Sequence, residues 1–532
     1  MTTLQMQNLL TYWFSPETAK KWFNSSPETD AEIIEKFGYL VTEYEARTSS
    51  LPHIIICDQL TRHYDRVHGT STSQLHGDHA VEMSLELIQS SEFEKCTPEQ
   101  RCFILLPLRH SKQLNLIKIS HNKIMELMEE HEHIPSIYIR FYKASFQCLS
   151  EIIKPTYYPP TPVAFPSRKG LLDSKCAYNT GKAVACIPSV VPMKWKESFL
   201  DTISLDTDVV VISLSGGGDS MTACYILKAL GYNVIALMVD YNNRDSCKDE
   251  VQMVRKWAYD LGIDLYVLHN DSLVRSRRSS LREIYERYTR IMRFNAYKYV
   301  ARQNGQKETH VVLGHNLDDS KENIIGNLCQ RCHFTNLKVI KSKHCEDGVW
   351  IYRPLRDISK CDITQFADQN NIPYLYDSTP KWSCRGRIRD ELAPVLTKFD
   401  PRLMQGLCEM ADYTQQVCAS YYKLLERVTT FTKKTIPLQV SKGKPIRDIP
   451  IVQVDFMEEN YEESYWLFIF EKLLNSYQCP MVGIKGIRHI LAELKVLNSS
   501  PSPSPNPKYL VMCAVKNMRV RIYSNKMYVI RV

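Results

Sequence analysis

Ser215-Gly216-Gly217-Gly218-Asp219-Ser220 follows the apolar run Val209-Val210-Val211-Ile212 and precedes the apolar stretch from Met221 to Leu230. The first run reads as a buried strand and the second as the start of a helix. A strand, a glycine turn and a helix aim backbone N–H groups and a helix N-terminus at an anion. Three glycines allow positive φ and a close backbone approach, and Ser215 and Ser220 add hydroxyl donors. The run is not GxxxxGK[ST], and it contains no GxGxxG, so neither a Walker-type loop nor a dinucleotide fingerprint is supported.

The pattern around this loop predicts a parallel sheet. Strand Val209–Ser213, a helix from Ser220, strand Val234–Val239, helix Lys248–Leu261, strand Leu265–Leu268, helix Leu281–Gln303 and strand Val311–Gly314 alternate. Such alternation gives a sheet covered by helices on both faces, with ligands beyond the carboxyl ends of the strands. Asp240 to Arg244 falls at one such end. His315-Asn316-Leu317-Asp318-Asp319-Ser320-Lys321-Glu322 falls at another. Asp319 and Glu322 are three apart and share a helix face. One aspartate alone would be a helix cap. Three carboxylates beside a phosphate loop need Mg²⁺ or a substrate ammonium between them and the nucleotide.

The loop resembles the SGGxDS loop of the ATP-pyrophosphatase (PP-loop) enzymes, and further motifs narrow the resemblance. From about Asp206 onward the chain resembles the tRNA(Ile)-lysidine synthetase family. Thr289 to Phe294 lies where that family has ARxxRY, and His315 to Asp319 with Glu322 where it has HHxDDxxET. Arg353-Pro354-Leu355 matches its RPL. Asp377-Ser378-Thr379 and Arg385-Gly386-Arg387-Ile388-Arg389 lie where it has DSSN and RNxIR. The chain departs from the pattern at Ser320, Asn323, Pro380, Gly386 and Asp240-Tyr241-Asn242.

The resemblance implies ATP-dependent joining of free lysine to the wobble cytidine of an isoleucine tRNA, with release of AMP and pyrophosphate. It implies ATP on Ser215, Gly216, Gly217, Gly218, Asp219, Ser220 and His315, and Mg²⁺ on Asp219 or Asp319. Asp219, Asp240, Asp318, Asp319 and Glu322 are the candidates for the chemistry. Arg290, Arg293, Arg385, Arg387 and Arg389 are the candidates for phosphate or tRNA. A thiolating PP-loop enzyme and a non-catalytic RNA-binding scaffold are the alternatives. Cys329-Gln330-Arg331-Cys332 has tolerable metal spacing, but it lies where the lysidine family has a glycine-rich turn, and zinc or an iron–sulfur cluster is not expected there.

The chain reads as a multidomain protein. Residues 1–155 are all-helical, and 156–205 form a proline-rich linker from Pro155 to Pro166 and a weakly patterned tail. Residues 206–400 are the α/β PP-loop domain, and 401–532 a small helical and β region for tRNA. Tyr12-Trp13-Phe14, Ile54 to Arg62 and Phe103 to Ser111 resemble an uncharacterised helical family related to TPR pairs. There Asp58, Gln59, Arg62, His110 and Ser111 either line a groove or bond helices to one another, the second being the simpler reading. This part is the candidate dock for a protein partner. His76 and His79 read as a surface pair. After Pro401 a helix runs to about Arg427, Thr429 to Pro450 reads as irregular, and Tyr461 to Tyr477 as helical. Residues 499–507 read as a tether, and Tyr509–Val515, Val520–Tyr523 and Met527–Val532 as a small β unit.

The formal charge is +8. Its placement matters more than its size: Arg275 to Arg302 has nine basic and two acidic residues, and Lys508 to Val532 six basic and none acidic. Both stretches suit a polyanion. Seventeen scattered cysteines suggest a reducing compartment, hence the cytoplasm. No apolar run is long enough to span a bilayer, and no membrane partner is expected.

Overall fold

The computed structural model describes residues 2–22, 26–44, 49–163, 191–204, 207, 209–242, 247–270, 279–330, 332, 337, 340–375 and 384–428, and beyond these the backbone of five strands and a few helical residues. The chain divides into two units, Met1–Leu317 with Ser342–Ser378, and Asp318–Lys341 with Thr379–Val532.

The first unit begins with helices whose ends are written in the sequence. Thr97 and Gln100 form a reciprocal capping box before Pro98–His110, with bonds of 3.3 and 2.9 Å, satisfying two donors that a helix start leaves open. Trp13, Phe103, Tyr142 and Phe146 are buried in the same core. That core does not stop where the helices end. Helix Ser136–Ile152 lies against helix Ser279–Gln303: Phe146 stacks on Tyr288 at 4.6 Å, and Asn295 Nδ2 donates to Ser150 O at 3.1 Å. The helical part thus packs directly on one layer of the sheet.

The sheet contains β1 (Thr156–Tyr158), β2 (Val210–Ser213), β3 (Val234–Asp240), β4 (Asp264–His269), β5 (Thr309–Val312), β6 (Lys343–Glu346) and β7 (Val349–Tyr352), in the order β1-β4-β3-β2-β5-β7-β6. The interior pairs are parallel, with Val210 opposite Val234 and Val211 opposite Val311. Strands β1 and β6 close the two edges antiparallel. Runs such as Val210-Val211-Ile212 are buried on both sides, as expected of parallel strands covered on both faces. Of the stretch read as a linker, Thr156–Tyr158 extends the sheet, and helix Met193–Thr202 buries Trp195 and Phe199 in the core on the opposite face.

In the second unit, helix Leu317–Cys329, which starts at the last residue of the first segment, packs Ile324 on Cys408 and Ala411 of helix Leu403–Val428. Ile325 meets Ile388 and Met404. The stretch Thr429 to Pro450, read as irregular, is a correction. It supplies β8 (Thr430–Leu438) and the start of β9 (Arg447–Asp455), which join β10 (Leu510–Val515), β11 (Met518–Tyr523) and β12 (Lys526–Arg531) in the order β10-β11-β12-β9-β8. The prolines are compatible with strands for a positional reason. Pro437 lies on the edge strand, and Pro450 lies just before the β12 register begins at Ile451. Residues 499–507, and most of Tyr461 to Tyr477, lie outside the described residues.

Candidate active site

The phosphate loop sits at the carboxyl end of β2. Leu214 N–H donates to Leu237 O at 2.9 Å, carrying the ladder one residue past the strand. Gly216 then takes φ of 80°, a conformation that a side chain disfavours. Leu375 N–H donates to Gly216 O at 2.9 Å and ties the turn down. Gly217 is the N-cap of helix Gly218–Ala229, and no side chain caps that helix. Its leading N–H groups are therefore left for a ligand. The serine hydroxyls knit the loop together. Ser220 Oγ accepts from Ser215 N–H at 3.1 Å and donates to Gly217 O at 3.0 Å, while Ser215 Oγ accepts from Gly217 N–H at 3.4 Å. The next parallel strand presses on this loop. A Cβ on Gly314 would lie 2.8 Å from Ser220 N, so only glycine fits between β5 and the loop.

Asp219, in the first turn of the loop helix, is held by a residue that motif reading missed. Lys360 Nζ donates to both carboxylate oxygens at 2.8 Å. Lys360 opens helix Lys360–Gln369, whose start is fixed by Ser359 Oγ accepting from Asp362 N–H at 3.1 Å. Both partners keep some solvent contact, with Lys360 47% and Asp219 23% exposed. The ammonium also lies 3.6 Å from where a Cβ on Gly218 would be, beside the cradle itself. A hard carboxylate oxygen at a phosphate cradle, balanced by one exposed ammonium, fits Mg²⁺ shared with phosphate oxygens.

Neighbouring strand ends carry polar networks. Asp240, at the end of β3, bonds His269 Nδ1 at 3.1 Å and accepts from Asn242 N–H at 2.9 Å. Beyond β5, His315 Nδ1 lies 3.0 Å from Arg353 Nε. A guanidinium only donates, so Nδ1 accepts and a neutral His315 carries its proton on Nε2. Arg353 also reaches His344 Nδ1 at 3.2 Å, and burial lowers its pKa to about 10. Arg290 pairs with Glu346 and lies over Phe294 at 4.8 Å. The Nε of Arg293 is buried without a hydrogen-bond partner among the described residues.

The second unit gathers the other predicted carboxylates around two arginines. Arg385 donates to Asp319, and through Nε to Glu322 at 2.5 Å. Arg389 Nε donates to Glu322 at 2.6 Å, and its Nη2 lies 3.8 Å from Asp319. Asp319 and Glu322 are buried, with side chains 10% and 6% exposed. Burial works against the charge of Arg385, but Asp319 and Glu322 outweigh it and raise its pKa. Here Asp319 and Glu322 have guanidinium partners, so Asp319 is a poorer fit to Mg²⁺ than Asp219. Asp318 is 40% exposed and lies 3.5 Å from Lys321. Arg387 pairs with Glu391 at the surface. Cys329 is exposed at a helix end, and the Cys332 thiol faces Asn327 Oδ1 at 3.9 Å. Asp377-Ser378-Thr379, Asn243 and Arg244 lie outside the described residues.

Residues 192–396 match the PP-loop domain family, and residues 9–153 match a family described as bacterial protein of unknown function, DUF924. The tRNA(Ile)-lysidine synthase of Chlamydia felis is 27% identical over 210 residues, 39% of this chain and 64% of that one. That of Porphyromonas gingivalis is 26% identical over 246 residues, 44% of this chain and 51% of that one. The chain thus spans less than two thirds of these relatives' length. Among solved structures, the U34-tRNA thiolase NcsA from Methanococcus maripaludis with its [4Fe-4S] cluster covers 42% of this chain and 78% of its own, at 21% identity and a TM-score of 0.34. On these matches the chain joins a DUF924-type helical domain to a PP-loop domain similar to that of the tRNA(Ile)-lysidine synthases.

Proposed function

We propose that the chain is an ATP-dependent tRNA-modifying ligase that joins lysine to C2 of a wobble cytidine in an isoleucine tRNA. The observation that carries this is the uncapped helix start behind Ser215–Ser220, with Lys360 and Asp219 beside it. The C2 carbonyl oxygen of cytosine is a poor leaving group. Its attack on the α-phosphorus of ATP forms an O–P bond, breaks the α–β bridge and releases pyrophosphate. The loop N–H groups and the Lys360 ammonium stabilise the charge that gathers on the leaving oxygens. Asp219 would hold Mg²⁺, which would supply further neutralisation of that charge. The lysine ε-amine then adds to C2, and the C2–O bond breaks with AMP as the leaving group.

The incoming ammonium, with a reference pKa of ~10.4, must first lose a proton. Asp240 and Asp318 are the candidate acceptors; Glu322, expected beside them from the sequence, has both oxygens engaged by Arg385 and Arg389 and is a poorer one. His315, with its Nε2 proton fixed by Arg353, is a donor for the nucleotide. Arg293, whose Nε has no hydrogen-bond partner among the described residues, is a candidate for a phosphate. Arg385 and Arg389 pair with Asp319 and Glu322 and hold them in place. The basic strands β11 and β12 are assigned to the tRNA backbone.

The test is incubation with ATP, Mg²⁺, labelled lysine and total tRNA, followed by digestion to nucleosides. A labelled nucleoside that is lost in Ser220→Ala is expected. Pyrophosphate release without lysine incorporation would reject lysine as the nucleophile.

A further inference from the structure

The edge hairpin of the first sheet brings a second histidine to Arg353. Strand β6 pairs antiparallel with β7, with His344 opposite Ile351 and Glu346 opposite Val349. Side chains alternate between the two faces of a strand, so His344 and Glu346 share the face of Ile351 and Val349. Those two are buried in the same core as Met292 and Phe294 of helix Ser279–Gln303. Lys343 takes the other face, over the rings of Trp350 and Tyr352 at 5.3 Å. Arg353 N–H donates to Ser342 O at 2.8 Å, which ties the start of the hairpin to Arg353.

There a line of side chains runs from Arg290 to His315. Arg353 Nε donates to His315 Nδ1 at 3.0 Å, and its Nη1 lies 3.2 Å from His344 Nδ1. A guanidinium has no acceptor, so both imidazoles receive through Nδ1, and each in its neutral form carries its proton on Nε2. His344 Nε2 lies 3.6 Å from Glu346 Oε2, the same oxygen that Arg290 engages. Burial opposes the Arg353 charge, and Glu346 is the nearby carboxylate that offsets it. His344 is thus the link between that carboxylate and the guanidinium that receives His315.

We propose that His344 is a positioning residue for the nucleotide site: through Arg353 it holds His315 in the Nε2–H form that donates to ATP. The proposal rests on the reading of His315 as a nucleotide donor. Two acceptors on different nitrogens of one rigid guanidinium fix the orientation of its plane. With His344 removed, the plane can turn about its remaining bond, and the hydrogen bond that sets the His315 tautomer loosens. Glu346, facing Nε2, keeps the His344 ring turned so that Nδ1 meets Arg353.

The test reads the ring ¹⁵N signals of the full chain labelled at histidine, and its affinity for ATP by titration with Mg²⁺ present. His315 and His344 are assigned by the signals lost in His315→Gln and His344→Asn. At a pH well above the usual histidine pKa of ~6.5, both are expected as the Nε2–H tautomer. His344→Leu should turn His315 into a mixture of tautomers and weaken ATP binding about tenfold, the worth of one charge-assisted hydrogen bond. His344→Asn, whose Oδ1 stands where Nδ1 was, should restore both. A proton on Nδ1 of either histidine in the unmutated chain overturns the proposal, whether or not the Leu variant folds. An unchanged His315 pattern in a folded Leu variant also overturns it, as does an Asn variant that behaves like Leu. The tautomer signals need no nucleotide and no turnover. No ATP binding by the unmutated chain overturns the nucleotide role together with the ligase reading, whereas ATP binding without pyrophosphate release overturns the ligase reading alone.

Discussion

The phosphate loop and the carboxylate–arginine cluster were read from one family pattern, but they are built in opposite senses. The loop is open. Its helix start is uncapped, and its one carboxylate is balanced by an ammonium that keeps solvent contact. The cluster is closed. Two buried carboxylates are matched by two guanidiniums, with both Glu322 oxygens engaged. An open site keeps its electrostatic capacity for a ligand. A closed one holds its own geometry, and losing one partner there leaves a buried charge behind. The difference supports the proposal that the loop binds the nucleotide while Asp319 and Glu322 hold the local structure.

Three substitutions sharpen this contrast. The largest effect is expected for Gly314→Ala, which puts a methyl against the backbone of Ser220. Pyrophosphate release should fall about 100-fold, or about 2.7 kcal/mol in the barrier, and the unfolding midpoint should fall as well, since the methyl meets backbone. Arg385→Ala should act mainly on folding. It strands two buried carboxylates, and because the arginine is 48% exposed the loss is set at about 2 kcal/mol rather than the full buried-pair penalty. Urea unfolding reads it, and adding Asp319→Asn should recover part of the loss. If Arg385→Ala instead abolishes turnover at unchanged stability, the cluster is not closed in the sense argued. Lys360→Gln comes next, with the KM for ATP expected to rise about tenfold, equivalent to about 1.4 kcal/mol, and no change in stability.

The helical core offers a limiting case of closure. His121 is fully buried, stacked on Tyr142 at 4.6 Å, with neither ring nitrogen partnered among the described residues. Burial lowers its pKa to about 3. The folded value is below the unfolded one, so the unfolded chain binds the proton first as pH falls. Stability is complete above ~6.5 and declines toward pH 3, by about 1 kcal/mol between pH 6.5 and 5.5. His121→Phe should flatten that stretch of the stability–pH curve.

The open region was far more legible than the closed one. Ser215–Ser220 and the parallel strands are each runs of neighbouring residues, and local pattern finds them. Lys360 lies 141 residues from its partner Asp219, at the start of a helix that looks ordinary by itself. Arg385 and Glu322 are 63 apart; their motifs were visible, but their mutual neutralisation was not. Strands β6 and β7 are short, and a hairpin at the edge of a parallel sheet gives no βα alternation to read. Strands β8 and β9 were hidden by Pro437 and Pro450, because strand position within a sheet decides whether a proline is tolerated. The helical domain read as separate from the sheet because nothing local announces that Phe146 will stack on Tyr288.

The central claim is that the loop directs cleavage of ATP between the α- and β-phosphates. The direct measurement uses ATP labelled at the α-phosphorus, with Mg²⁺, tRNA and lysine, and identifies the labelled product. The account predicts labelled AMP, dependent on tRNA and lost in Gly314→Ala. Labelled ADP, or intact ATP with a folded protein and the full tRNA pool, would contradict it.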